Sequence, residues 1–311
     1  MANVVVIGAG GQDGQLLSDL LRRRGDRVCG ITRGSSWIDT EAQPAVDIRK
    51  RDEVAQVIGE LRPAELYYLA AYHHSSEDSI PPDDRQVLEA SMQVHVDGWA
   101  NCLEGVKTLS PKTRCFYAAS SHVFGRPVTS PQDEQTPLNP ICVYGISKVA
   151  GMHVARMYRE KHGVFAAVGI LYNHESPLRR KEFVSQKIVQ AVKAIRDGRQ
   201  KTLYLGDLSA AVDWGYAPDY VEAMTRILAY RLPEDFVVAT GETHTVEQFV
   251  EAAFSSAGLD WRGRVVEDAS LVAKSRRSLV GNSRKIRELT GWRPSVSFEQ
   301  MVRVLLDANK E

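Results

Sequence analysis

Apolar residues follow two alternating rhythms over the first half of the chain. Short runs rich in β-branched or aromatic residues, "NVVVIG" (3–8), "DRVCGITR" (26–33), "AELYYLAAY" (64–72), "TRCFYAAS" (113–120) and "VFAAVGILY" (164–172), have the length of buried strands. Between them the apolar positions at 15–25, 51–63, 85–109 and 147–163 recur at helical spacing, and Gly25, Pro63 and Gly163 punctuate the ends. Strands alternating with helices of this length predict an α/β fold, a doubly wound parallel sheet covered on both faces.

The rhythm breaks after Tyr172, where "NHESPLRRKEFVSQK" is polar and basic, before "IVQAVKAIRDG" resumes helical spacing. "VEAMTRILAYRL" (221–232) and "FVVATG" (236–241) supply one more helix–strand unit, and short helices fill the tail from Thr245. The division expected is a sheet domain of 1–172 plus 213–243 and a smaller, discontinuous C-terminal substrate domain of 173–212 plus 244–311.

Composition narrows the partners. The chain has 311 residues, 43% hydrophobic and 25% charged, with formal net charge zero. A neutral balance argues against nucleic acid or an anionic membrane, both of which select a basic excess. Cys29, Cys102, Cys115 and Cys142 are scattered without a CxxC pair, which suits buried thiols in a reducing compartment. No export signal opens the chain and no apolar stretch approaches about 20 residues, so a cytoplasmic protein is expected. No HxxxH pair or His–carboxylate cluster suggests a metal. His73, His74 and His95 are expected to be hydrogen-bonded structural residues.

"GAGGQDG" puts Gly8, Gly11 and Gly14 in a GxxGxxG array between a strand and a helix, with Gln12 and Asp13 inside it. Such glycines allow a tight turn and close backbone approach, and the helix N-terminus offers N–H groups to a pyrophosphate. This is the fingerprint of a Rossmann-type dinucleotide site. The second strand ends in "ITRGSS", where Arg33, Ser35 and Ser36 stand in place of the acid that holds the ribose of NAD. A cation and hydroxyls suit a 2′-phosphate, so NADP is expected, with NAD as the alternative. Asp47 and Ile48 lie where such folds place a carboxylate near the adenine. A helix cap before "RDEVAQVI" explains Asp47 equally well.

Tyr144 and Lys148 form a Tyr-x-x-x-Lys pair, and spacing i, i+4 puts both on one helix face. A nearby ammonium favours phenolate, which would let Tyr144 take a proton from a sugar hydroxyl near neutral pH. Lys148 can also grip the nicotinamide ribose. About twenty residues earlier stands "ASSHVFG", with Ser120 and His122.

The order fingerprint, "ASSHVFG", YxxxK resembles the extended short-chain dehydrogenase/reductase superfamily over nearly the whole chain. Within it, "GQDG", "GITRGSS", "GILYNHESPLRR", "LYLGDLSAAVDWGYAPDYV", "VATGETHTVEQFVE" and "LTGWRPSVSFEQMV" are similar to GDP-mannose 4,6-dehydratase. The resemblance implies an enzyme acting on a nucleotide-diphosphate sugar such as GDP-mannose. It makes Tyr144 the catalytic tyrosine, Lys148 its partner and Ser120 the hydroxyl at the sugar O4. It also places His174 and Arg179 on the NADP, and Leu69, Ala70, Ala71 and Tyr72 on its diphosphate and ribose side.

His122 departs from that pattern, because the dehydratases carry a glutamate there. In the reaction, oxidation at C4 makes a ketone that acidifies C5–H, and a base removes that proton before O6 leaves as water. Three roles fit His122, whose ordinary pKa is about 6.5. It can shuttle the same proton; it can mark a neighbouring chemistry, an epimerase or 4-keto reductase; or it can cap and pack at the strand end. A non-catalytic NADP-binding regulator is a further alternative, disfavoured because Ser120, Tyr144 and Lys148 are all present.

For the nucleotide end, Lys187 with Arg276 and Arg277 are candidates for the diphosphate, and Asn173 occupies the position the family uses for substrate phosphate. Val212 replaces an arginine of the dehydratases before "DWG", which leaves the base open. The stretch after "GITRGSS" is shorter than the segment that builds their tetramer, so a homodimer through helices near 86–107 and 146–162 is expected.

Overall fold

The computed structural model describes residues 1–72, 83–271 and 279–308; His73, His74, Arg276 and Arg277 lie outside the described residues. The chain begins β1 (Asn3–Ile7), α1 (Gln12–Arg23) and β2 (Arg27–Thr32), followed by a hairpin of β3 (Ser35–Ile38) and β4 (Glu41–Gln43). Next come α2 (Arg51–Leu61), β5 (Glu65–Tyr68), α3 (Asp84–Met92), α4 (Gly98–Leu109), β6 (Arg114–Ser120), α5 (Val143–His162) and β7 (Ala166–Leu171). The remainder holds β8 (Asn173–Glu175), α6 (Val184–Arg196), β9 (Leu203–Leu205), β10 (Ala211–Val212), β11 (Trp214–Tyr216), α7 (Ala217–Ala229) and β12 (Asp235–Val238). It closes with β13 (His244–Thr245), α8 (Val246–Ser256), β14 (Val265–Glu267), α9 (Arg284–Thr290) and α10 (Phe298–Asp307).

The six strands expected from the pattern pair in parallel in the order β12-β7-β6-β5-β1-β2, and the antiparallel β3–β4 hairpin extends the edge beyond β2. Sheet order reverses direction between β1 and β5, the crevice where doubly wound folds bind ligands. Helices cover both faces because strands such as Ala166–Leu171 are buried along their whole length.

Two apolar clusters form among the described residues. The first spans the large sheet, its helices and α7, and it also takes in Ile286 of α9 and Trp292. The second joins α6, α8 and α10 around Trp214, Phe249 and Phe298. α9 therefore packs with the sheet, although it falls within 244–311: Trp292 Nε1 donates to Asp219 O and fixes the segment to α7. α8 and α10 each start with a capping box, Thr245/Gln248 and Ser297/Gln300.

The run 85–109, expected as one helix, is split by a π turn at Gln93–Asp97. The extra residue swings His95 into the core, where it is fully buried.

Candidate active site

The glycine turn needs its glycines. A Cβ on Gly8, at φ +91°, would lie 2.6 Å from Ala70 N, and one on Gly14 would lie 2.3 Å from Gly8 O. Gly8 thus brings β1 against the end of β5, with Leu69 N donating to Ile7 O. Gly11 is the N-cap of α1 and no side chain caps it, so the helix end is a cradle for an anion.

Asp13 and Gln12 face the strand "NHE". His174 Nε2 is 2.9 and 3.0 Å from the two Asp13 oxygens, and its Nδ1 is 2.6 Å from Tyr172 O. Carboxylate and carbonyl both accept, so both ring nitrogens donate and the imidazole is protonated. Burial works to lower the His174 pKa, but the Asp13 carboxylate overcomes it and the net direction is up. For Asp13 burial works upward, His174 outweighs it and the net direction is down. The pair stabilises the fold above the Asp13 pKa, and that contribution is lost as pH rises through the raised His174 value. Gln12 Nε2 donates to His174 O and Ser176 Oγ donates to Gln12 Oε1, completing the latch. Asp13→Asn is expected to weaken NADP binding about 10-fold, read by fluorescence titration; unchanged affinity would reduce the latch to a structural contact.

The candidate reactive groups meet where β6 ends and α5 begins. Ser120 ends β6, and His122 lies in the single 3-10 turn that follows. Tyr144 occupies the first turn of α5, with its ring edge-on to His122 at 5.7 Å and to His95 at 5.3 Å between centroids. Lys148 is 1% exposed; its Nζ donates to Ala118 O at 2.7 Å and lies 5.6 Å from the Tyr144 ring.

Here the electrostatics differ from the sequence expectation. Burial raises the Tyr144 pKa to about 12, against the lowering effects of Arg179 and a hydrogen bond with Ser120. Burial also lowers Lys148 to about 7. Lys148 is therefore no fixed cation that ionises the phenol. The neutral pair nevertheless holds as many protons as a tyrosinate–ammonium pair, so the reactive form is reached by redistribution. Below about 7 Lys148 takes up a further proton and that form is lost.

The sequence assigned His95 only a structural role, and its contacts give it a place at the site. Its Nε2 accepts from Tyr72 N at 2.9 Å, so the proton is on Nδ1, which donates to Ser147 Oγ at 2.7 Å. Ser147 Oγ in turn donates to Tyr144 O. One directed chain thus joins the 69–72 segment to the turn that carries Tyr144.

Other expected residues are placed differently. Ser36 is 4% exposed and donates to Pro44 O within the hairpin, which corrects its assignment to a 2′-phosphate: the side chain points into the fold. Ser35 Oγ bonds Thr32 Oγ1, and Arg33 is exposed at the turn. Arg49 takes the Asp47 carboxylate through Nε and Nη2 and holds its pKa at about 2. Asp47 also accepts from Arg49 N in the turn ahead of α2, but the N-cap of that helix is Lys50 and no side chain caps it, so Asp47 does not fill the capping role. Ile48 packs toward Gly98, and Asn101 donates to its carbonyl. Asn173 opens β8, whose register sets it beside Trp214. Arg179 stacks on Phe183 at 3.7 Å and acts electrostatically on Tyr144, Asp13 and His174 together.

Lys187 lines a cleft of about 500 Å³ between α6 and β9, together with Lys181, Arg199 and Tyr204, the last 53% exposed. Cations beside an open aromatic face suit a diphosphate and a base.

The model of the family described as GDP-mannose 4,6 dehydratase matches residues 5–305. The chain belongs to the GDP-mannose 4,6-dehydratase family. It is 36% identical to GDP-mannose 4,6 dehydratase 2 of Arabidopsis thaliana, covering 99% of this chain and 86% of that protein. With the Homo sapiens GDP-mannose 4,6 dehydratase it shares 32% identity, over 99% and 92% of the two chains. The fold matches that of RMD from Pseudomonas aeruginosa complexed with NADPH, with TM-score 0.83, 20% identity and 98% of each chain covered. No helix among the described residues of this GDP-mannose 4,6-dehydratase family member is long and apolar enough to cross a membrane.

Proposed function

We propose that the protein is an NADP-dependent GDP-mannose 4,6-dehydratase. The observation that carries this reading is the meeting of Ser120, His122, Tyr144 and Lys148 beside the glycine turn, in a chain of the dehydratase family. NADP fits the uncapped Gly11 end of α1, with Asp13, His174 and Arg179 alongside and Arg33 and Ser35 at the exposed end of β2. Bound there, NADP would supply the hydride acceptor for C4 and the hydride donor for C6. Tyr144, positioned by Ser120, takes the O4 proton and Lys148 absorbs the redistributed charge. His122 removes the C5 proton made acidic by the 4-ketone and delivers a proton to O6, which leaves as water. C5 then regains a proton exchanged with solvent.

The cleft of Lys187 is assigned to the nucleotide. Lys187→Ala is expected to raise KM for GDP-mannose about 10-fold with kcat nearly unchanged; a fall in kcat alone would move the nucleotide elsewhere. We assign residues 1–172 and 213–243, with α9, to cofactor binding, and the second cluster to the sugar nucleotide. We further assign a homodimer packed through α3, α4 and α5, on which Leu88, Ile146 and Met157 are exposed, and a cytoplasmic location, which suits four unpaired cysteines.

Incubation with GDP-mannose in heavy water tests the reading. Loss of one water with one deuterium gained at C5 supports dehydration. Deuterium gained without loss of water would make the protein an epimerase. Silence until NADPH and a 4-keto sugar are added would make it a reductase.

A further inference from the structure

The first turn of α5 brings a thiol to His122. Cys142 is the N-cap of that helix, with extended backbone at φ −138° and ψ 157°, and its Sγ accepts from Gly145 N at 3.4 Å. The same sulfur lies 3.6 Å from His122 Nδ1. Gly145 permits the approach: a Cβ there would stand 2.5 Å from His122 O. Cys29, Cys102 and Cys115 are buried, whereas Cys142 is partly exposed.

We propose that Cys142 is a positioning residue for His122, holding the Nδ1 proton so that Nε2 serves as the base, and that the two together replace one carboxylate. The proposal rests on the dehydration reading above. A carboxylate can take a proton on either of two equivalent oxygens, whereas a neutral imidazole accepts on one nitrogen only and its tautomer decides which. An acceptor at Nδ1 settles that choice, the task of the orienting group in nucleophile–base triads. In the first transfer the C5–H bond breaks, the proton joins Nε2 and the electron pair enters the C4–C5 bond of the enolate. In the second the enolate's electron pair forms the C5–C6 double bond as the C6–O6 bond breaks, and O6 leaves as water with that proton. Nδ1–H stays on the sulfur throughout, and the polarizable sulfur sits against the imidazolium that exists between the two transfers.

Two measurements test this. The first is alkylation of Cys142 by iodoacetamide at pH 7, followed by peptide mass, in the parent and in His122→Gln. A rate about 5-fold lower in the variant is expected, because a neighbouring imidazole promotes thiol reactivity. The second is the pH profile of GDP-mannose turnover in Cys142→Ala and Cys142→Ser. Cys142→Ala is expected to lower kcat about 10-fold and displace the profile at unchanged KM. Cys142→Ser keeps both the cap and an acceptor and should recover most of the rate. An alkylation rate indifferent to His122 overturns the pairing, and a Cys142→Ala profile superimposable on the parent's overturns the positioning role. If the parent turns over no GDP-mannose, the dehydration reading falls with it, while the alkylation comparison still upholds or sinks the pairing.

Discussion

Replacing His122 with glutamine is expected to lower water release from GDP-mannose by about 10²- to 10⁴-fold, the range that one positioned acid–base group supplies. Glutamine retains much of the side chain's bulk and its hydrogen-bonding capacity but accepts no proton near neutral pH. The glycine turn, the Asp13–His174 latch and Gln12 lie on other elements, so NADP should bind as in the parent, measured by fluorescence titration. His122→Glu restores the residue type that the resemblance implies and is expected to keep or raise dehydration. Together the two variants separate a proton carrier from a packing residue. Retention of activity within a few-fold in His122→Gln would assign His122 to packing at the end of β6.

Lys148→Met is expected to lower turnover by a comparable factor and to change how stability depends on pH. In the folded chain burial lowers Lys148 from its ordinary 10.5 to about 7. Between those values the unfolded chain carries a proton that the folded chain lacks, so stability rises with pH across the window. The slope is at most about 1.4 kcal/mol per pH unit for one group. Methionine does not titrate, and the variant should lack that slope. Urea midpoints of the cofactor-free proteins at pH 7 and pH 9 give the comparison. Equal slopes in parent and variant would mean that Lys148 stays charged. The same group is expected to set an acid limb near 7 in kcat/KM of the parent, a limb that the residual activity of Lys148→Met should lack.

Much of the frame was legible because buried parallel strands are short, nearly uninterrupted apolar runs. Val4–Ile7 and Ala166–Leu171 announce themselves, and the glycine turn is local in sequence. The β3–β4 hairpin was not, since "SSWIDTEAQ" holds mostly polar residues and turns through Asp39 at φ +54°. The π turn at Gln93–Asp97 was also hidden, because one inserted residue barely disturbs helical spacing while it turns His95 inward. The roles proposed for Tyr144, Lys148 and Ser120 come from the order of the motifs and the family resemblance that this order carries. The resting protonation of Tyr144 does not, because burial outweighs its neighbours and burial belongs to the assembled fold. Pairs such as Asp13 with His174, far apart along the chain, carry no sequence signal at all. Cys142 is partly exposed where the sequence suggests a buried thiol, since nothing in a scattered cysteine reveals that it caps a helix beside a histidine.

The two apolar clusters separate tasks that a single core would tie together. The groups proposed to move protons lie on elements of the sheet cluster, while Lys187, proposed to hold the nucleotide, and its cleft lie on the helices around Trp214 and Phe298. Changes in the smaller cluster can therefore retune which sugar nucleotide is held while leaving the chemistry intact. Drift in recognition and drift in reactivity are free to proceed at different rates, and a chain built this way can acquire a new substrate before it acquires a new reaction.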